Sequence, residues 1–434
     1  MPEKKHYGKY ILNIILLAIF LCSACTVEDT EPYPDETTIS PNGGPLVLVH
    51  YMPWYRGPSL KSQEKTLSYY GGHWTGWGRF NPATDRDGRA DIFANQYPLT
   101  GPYHSGNTAL LEYQASLMKI TGIDGVIFDW YGSYESNDFT ENHSYTTAMA
   151  AVLEKAGLKF LVCYEDNTLN MMGMSGENAL AVGKVSFDWA QANWFRKYPY
   201  VRYEDRPVVL CFGPQHFNTK NQWNTVFSGV EPLPWFVDLD NRYSWSDSSF
   251  NWPPMHASVA GILTQSRLTQ YLDQFYNGVQ KNKPYRVAGV FSAFDDAYAE
   301  SYGYLAYENG AVFDLTWKKA IPFIPHIIQI VTWNDYGEGT IIEPTIERGY
   351  NELEYIQDRV REWNTAFPYT KEDLRWPLEF YRLRFTQTAG ASQETAIKDA
   401  TSALFSGKAS VFRTEAAKTG AAVNINDLKP MLRN

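Results

Sequence analysis

The chain has 434 residues, a formal charge of −10, 44% apolar residues and 15% aromatic ones. This length suits one large domain or two to three average ones, and the apolar share excludes disorder for most of the chain. The acidic balance argues against nucleic acid as a partner, and four Cys are too few for a disulfide scaffold. No Cys or His spacing reads as a metal site, so neither a metal nor a cofactor is expected.

Lys4, Lys5, His6 and Lys9 form a basic start, and the apolar run 10–21 (YILNIILLAIFL) follows. The run is shorter than the roughly 20 residues that span a bilayer. Residues 1–25 therefore read as a secretory signal. It closes in Leu21-Cys22-Ser23-Ala24-Cys25, which resembles a bacterial lipobox with Cys25 as the lipidation site. Cys22 stands where that pattern has Leu, so plain secretion stays open. Residues 26–44 (TVEDTEPYPDETTISPNGG) are acidic and Pro-bearing, the composition of a flexible tether. An acidic run after the Cys resembles the surface-export signal of Bacteroidetes lipoproteins. The expected address is secreted, a lipoprotein of the cell outer membrane held there by its N-terminal lipid.

From residue 45 onward, apolar runs alternate with helical stretches. The runs are 46–51 (LVLVHY), 125–130 (GVIFDW), 159–164 (KFLVCY), 207–212 (PVVLCF), 235–239 (WFVDL), 286–293 (RVAGVFSA) and 327–333 (IIQIVTW). Such near-continuous runs suit parallel strands buried on both faces. Residues 108–120, 146–156, 179–197 and 264–280 read as helices between them. A weak run at 248–252 (SSFNW) supplies an eighth strand, sixth in chain order. Eight strands with intervening helices predict an α/β fold, a (β/α)8 TIM barrel with long loop insertions and C-terminal helices. A doubly wound sheet is the alternative. The insertion at 56–107 is too long for a connector and is expected to build a rim. The catalytic domain is placed at 45–388, with charged helices at 352–367 and 371–386, and a helical tail at 389–434.

In a barrel of this kind, chemistry sits just past the C-terminal ends of the strands. Those positions hold His50, Tyr51, Trp54 and Tyr55 after the first strand, Asp129 and Trp130 after the second, and Glu165 after the third. After the last come Trp333, Asn334, Asp335 and Glu338. Cleaving a glycosidic bond takes two carboxyl groups, and aromatic rings hold the sugars. Asp335 and Glu338, three apart in a Gly-bearing turn, are the best pair for catalysis. Their mutual repulsion is expected to raise at least one proton affinity. Glu165, Asp129, His50, Tyr51, Trp54, Tyr55, Trp130, Trp333 and Asn334 are the candidate substrate-binding residues, with His73 and Trp74 from the insertion. His104, Trp77 and Tyr131 are weaker candidates, as are Asp238, Asp240, Asp295 and Asp296.

The segment Trp333-Asn334-Asp335-Tyr336-Gly337-Glu338-Gly339-Thr340 resembles the signature of the glycoside hydrolase family 71/99-like group. His50-Tyr51-Met52-Pro53-Trp54-Tyr55 resembles its opening strand, and Asp129-Trp130-Tyr131-Gly132 and Glu165-Asp166 fall where that group has strand-end motifs. The resemblance covers about residues 45–345. It implies a metal-independent endo-acting hydrolase of α-linked glycans, with a polysaccharide or oligosaccharide as its partner. Glu338 would protonate the leaving group, and Asp335 would be the base that activates the sugar's own 2-hydroxyl. Family 99 carries Glu at the first of these positions and a His where Gly337 stands. An Asn-Asp pair is closer to family 71, the α-1,3-glucanases, so mannan versus glucan and retention versus inversion stay open. The competing readings are a polysaccharide-binding surface lipoprotein without catalysis and another barrel hydrolase. The sequence has no GxSxG elbow for an esterase.

Overall fold

The computed structural model describes residues 43–57, 70–86, 88–136, 138–421 and 423. The signal segment with Cys25, the tether up to residue 42, residues 58–69 of the insertion and the end of the tail lie outside the described residues.

Eight strands form the core: β1 (Leu46–Tyr51), β2 (Gly125–Trp130), β3 (Lys159–Tyr164), β4 (Arg206–Cys211), β5 (Trp235–Leu239), β6 (Ser248–Phe250), β7 (Val287–Phe291) and β8 (Ile327–Val331). Neighbours pair in parallel in the order β7-β8-β1-β2-β3-β4-β5-β6. Their Val, Ile, Leu and Phe side chains are almost wholly buried. This follows from helices covering the outside while side chains fill the inside.

The seam between β6 and β7 has no backbone ladder. Asn251, just past β6, bridges it. Its Oδ1 accepts from the Gly289 N–H at 2.8 Å and its Nδ2 donates to the Gly289 carbonyl at 3.3 Å. One side-chain amide thus stands in for a strand residue. A Cβ on Gly289 would lie 2.5 Å from the Asn251 carbonyl oxygen, so only glycine permits this approach. The sheet curls shut into a barrel, and the doubly wound alternative falls.

Among the described residues, six helices of seven residues or more lie in the connections: α1 (Thr108–Thr121), α2 (Phe139–Ala156), α3 (Gly176–Ala190), α4 (Lys220–Val226), α5 (Gln265–Asn277) and α6 (Ala311–Ala320). Helix α1 starts where the Asn107 side chain accepts from the N–H groups of Ala109 and Leu110. Helix α2 begins seven residues before the expected residue 146, because its first turns are polar and carry no apolar period. Helix α3 ends early and passes into a wider turn at Gln191–Phe195.

Four helices follow the barrel: α7 (Asn351–Val360), α8 (Trp376–Phe385), α9 (Ala391–Phe405) and α10 (Ala409–Lys418). The last two are no loose tail. Helix α9 packs on α1, and Ile397, Leu404 and Phe412 are fully buried. Arg384 pairs with Glu112 of α1 and, at 3.1 Å, with Glu394 of α9. Arg413 of α10 pairs with Asp373 at 2.6 Å.

Candidate active site

The C-terminal ends of the strands open into a cavity of about 880 Å3. Its floor is set by strand alternation. Successive residues point to opposite faces, so His50 and Asp129 face the cavity while Tyr51 and Trp130 face the helices.

The turn after β8 carries the densest chemistry. The chain leaves β8 through a cis peptide between Val331 and Thr332. The Asp335 N–H donates to Thr332 Oγ1 at 2.8 Å, and the Glu338 N–H donates to Asp335 Oδ1 at 3.0 Å. The loop after β7 locks the turn from one side, where the N–H groups of Asp295 and Ala297 donate to the carbonyls of Glu338 and Gly337, each at 2.9 Å. Gly339 has φ +68°, and a Cβ there would lie 2.4 Å from the Asp295 carbonyl oxygen, so this close approach requires glycine. Asp335 and Glu338 both line the cavity, and Trp252 Nε1 donates to Glu338 Oε2 at 3.0 Å.

Asn334 lies below the turn, fully buried. Its amide accepts from the Met52 N–H at 2.8 Å and donates to the Met52 carbonyl at 3.0 Å. Tyr55 Oη donates to the Asn334 carbonyl at 2.9 Å and accepts from the Tyr336 N–H at 3.0 Å. Deeper still, Glu343 accepts from Gln114, Tyr103 and Tyr336 at 2.8, 2.9 and 2.7 Å. The turn is thus bolted to the end of β1 through a satisfied polar network.

Burial dominates the electrostatics. It pushes the Asp335 carboxyl up to about 6, opposed by the N–H groups of Glu338 and Gly337. It raises Glu338 well above the carboxylate range, with the Asp335 charge adding to the rise and Trp252 opposing it. Burial, then the Asp335 charge, lifts Asp129 to about 8. Glu165 is raised by burial first, then by Asp129 and Asp166. Burial drives the His50 imidazole down to about 3, so it is neutral. The expected rise in proton affinity is present, but desolvation outweighs mutual repulsion as its cause.

Aromatic rings make the walls. Trp54 stacks on His73 with centroids 4.2 Å apart, and His73 meets Trp77 at 5.2 Å. Trp77 is two-thirds exposed at the rim. Tyr55 and Tyr131 complete that side, with Phe212, Trp252 and Tyr298 elsewhere on the lining.

Of the expected substrate-binding residues, Glu165, Asp129, His50, Trp54, Tyr55 and His73 line the cavity. Five do not. Tyr51 points outward and donates to Gln114 Oε1 at 2.7 Å. Trp130 also points outward, donates to His143 Nδ1 at 3.1 Å and packs on Trp194. Trp74 is buried behind Tyr55 and donates to the Tyr103 carbonyl at 2.8 Å. Trp333 is fully buried in the core, and Asn334 holds the turn rather than the cavity. These five are corrected to packing or positioning residues: Tyr51 and Trp130 because alternate strand residues face opposite sides, and Trp74, Trp333 and Asn334 because each is buried against its neighbours away from the cavity.

Among the weaker candidates, Trp77, Tyr131 and Asp240 line the cavity. Asp238 is occupied by the Tyr243 N–H and the Ser249 hydroxyl, and Asp295 by Asn95 and Gln96. Asp296 accepts from the Tyr302 N–H, and His104 from the Gly106 N–H. Sequence reasoning missed Trp252, Phe212, Arg242, Tyr298 and Tyr302. Trp252 was discoverable, since it closes the weak strand run SSFNW. Tyr298 and Tyr302 sit in an irregular loop, where nothing in the spacing marks direction.

No family model and no curated protein matches the chain. Solved structures do. The GH99 endo-α-mannosidase from Bacteroides thetaiotaomicron in complex with BIS-TRIS-propane is similar at 16% identity over 74% of this chain and 96% of that one, with a TM-score of 0.52. A second structure of that enzyme gives 15%, 74%, 97% and 0.52. A glycoside hydrolase-like protein gives 13% over 77% of this chain and 97% of that one, with a TM-score of 0.50. This chain shares their fold.

Proposed function

We propose that the chain is a glycoside hydrolase that cleaves α-linked glycans internally, an α-mannan or a related α-glucan. The observation that carries this reading is the Asp335–Glu338 turn. Two buried carboxyl groups with different proton affinities face an aromatic-walled cavity. Glu338, held protonated, suits the general acid; Asp335, the more acidic of the two, suits the base.

In the first step, Glu338 gives its proton to the leaving oxygen as the bond from the anomeric carbon breaks. Asp335 takes the proton of the neighbouring 2-hydroxyl, whose oxygen closes onto that carbon from the side opposite the leaving oxygen, a route open to an α-mannoside, whose 1- and 2-oxygens are trans, and closed to an α-glucoside. In the second step, water opens the strained ring. Glu338 takes the water's proton, and Asp335 returns its proton to the 2-oxygen. Both carboxyls end as they began. The aromatic walls hold the flanking sugars. The GH99 neighbours support this assignment by their fold and their stated activity. The N-terminal signal and lipobox pattern support the accompanying proposal of a surface lipoprotein.

The test is incubation of protein beginning near residue 40 with α-mannan and α-1,3-glucan, with products read by mass spectrometry. Cleavage of one polymer into oligosaccharides, reduced at least about 1,000-fold in Glu338→Gln, is the expected outcome. Retention on a polymer without cleavage would make the chain a binding lipoprotein instead.

A further inference from the structure

Most buried carboxyls around this barrel are satisfied by protein donors. Asp166 accepts from the N–H groups of Gln215, His216 and Phe217. Glu343 accepts from three side chains and Asp238 from two groups. Asp129 differs. It is only 7% exposed, its Oδ1 is enclosed without a partner, and among the described residues no group donates to either of its oxygens.

A buried carboxyl without a hydrogen bond is costly, and native proteins keep few of them. This one lies on the cavity floor at the end of β2. Its interactions reach Glu165 at the end of β3 and Asp335 after β8. A ligand in the cavity is what can complete it.

We propose that Asp129 is the specificity-determining residue of the innermost sugar subsite, where its carboxyl hydrogen-bonds a hydroxyl of the bound glycan. This rests on the glycoside hydrolase reading and names the sugar class. Burial and the neighbouring Asp335 keep the proton on Asp129. A protonated carboxyl both donates and accepts, which matches a neutral hydroxyl. A carboxylated or sulfated sugar would meet acids on both sides.

Two substitutions separate the possibilities. Asp129→Asn keeps a neutral donor and acceptor of the same shape; Asp129→Leu keeps the branched outline in a larger side chain and removes both. The probes are α-linked manno- and gluco-oligosaccharides, titrated calorimetrically into protein carrying Glu338→Gln to prevent turnover. Asp129→Leu is expected to weaken binding about 50-fold. It is also expected to raise the Tm of the free protein by about 2–4 °C, since a desolvated carboxyl is gone. Asp129→Asn is expected to bind within about fivefold of the parent and, with Glu338 intact, to lose far less turnover than Glu338→Gln does.

Unchanged binding or a lowered Tm in Asp129→Leu would overturn the proposal and leave the hydrolase reading standing. Loss of turnover in Asp129→Asn as deep as in Glu338→Gln would also overturn it, by making Asp129 an ionised catalytic group. If the parent protein neither binds nor cleaves any α-glycan, the hydrolase reading fails and takes this proposal with it.

Discussion

Glu338 and Trp252 form a contact whose effect on rate has a sign. The proposed mechanism needs Asp335 ionised and Glu338 protonated. As pH rises through about 6, Asp335 loses its proton and the rate climbs. As pH rises through the elevated value of Glu338, the acid is lost and the rate falls. The profile of kcat/KM against pH is expected to be bell-shaped. The indole N–H of Trp252 stabilises the ionised form of Glu338. Trp252→Phe removes that donor, so Glu338 holds its proton to higher pH and the alkaline limb moves upward. A limb that stays put or moves down would show that this hydrogen bond does not set the acid. The turn that carries Asp335 and Glu338 was itself legible in the sequence, because two acids three apart beside two glycines follow a clean apolar strand. The direction of each neighbour was less so. Tyr51 and Trp130 sit one residue from cavity-facing His50 and Asp129, and composition alone does not reveal which face a strand residue takes.

The elements are joined by a repeated device, a side-chain amide that pairs with both polar groups of one backbone residue. Asn251 does this to Gly289 across the β6–β7 seam. Asn334 does it to Met52 between the β8 turn and the end of β1. The first holds the barrel shut, and the second sets where Asp335 stands. Asn251→Ala leaves the Gly289 N–H unpaired in a buried place, and about 2–4 kcal/mol of stability is expected to go, measured by denaturant unfolding. Asn334→Ala loosens the Asp335–Glu338 turn instead, and the proposed mechanism puts the cost on rate. Its kcat is expected to fall about 100-fold with KM nearly unchanged, since a shift of about 1 Å in a catalytic group costs that much. A KM effect alone would place Asn334 in substrate binding, as the sequence reading had it. Seven strands were legible as apolar runs. The eighth, Ser248–Phe250, is three residues long and polar at two of them, because side chains rather than a ladder close its outer edge. Helices α4 and α6 were not anticipated; they are seven and ten residues long, too short to show a periodic signal.

At the scale of the whole molecule, charge is unevenly placed. Among the described residues, Asp129, Asp138, Glu165, Asp240, Asp335 and Glu338 line the cavity, with one guanidinium, that of Arg242. Nη1 of Arg242 is already donated to the Pro214 carbonyl at 2.8 Å. The chain as a whole carries −10, so no basic surplus offsets this field. Low-dielectric walls focus such a field into the opening, and salt screens it over about 10 Å at 0.1 M. An anionic polymer is therefore repelled by Asp138, whose carboxyl is held below the usual range, and by the ionised Asp335, while the protonated Asp129 and Glu338 offer it no positive partner. Neutral glycans meet no such barrier, and a developing positive charge on a sugar ring is stabilised by the same acids. Affinity electrophoresis at low salt should show retardation by a neutral α-glycan and none by its sulfated or uronate-bearing counterpart. Raising the salt should narrow the gap without abolishing it, because the ionised Asp335 is buried and poorly screened. Equal retardation by both polymers would mean that the cavity charge does not govern what enters.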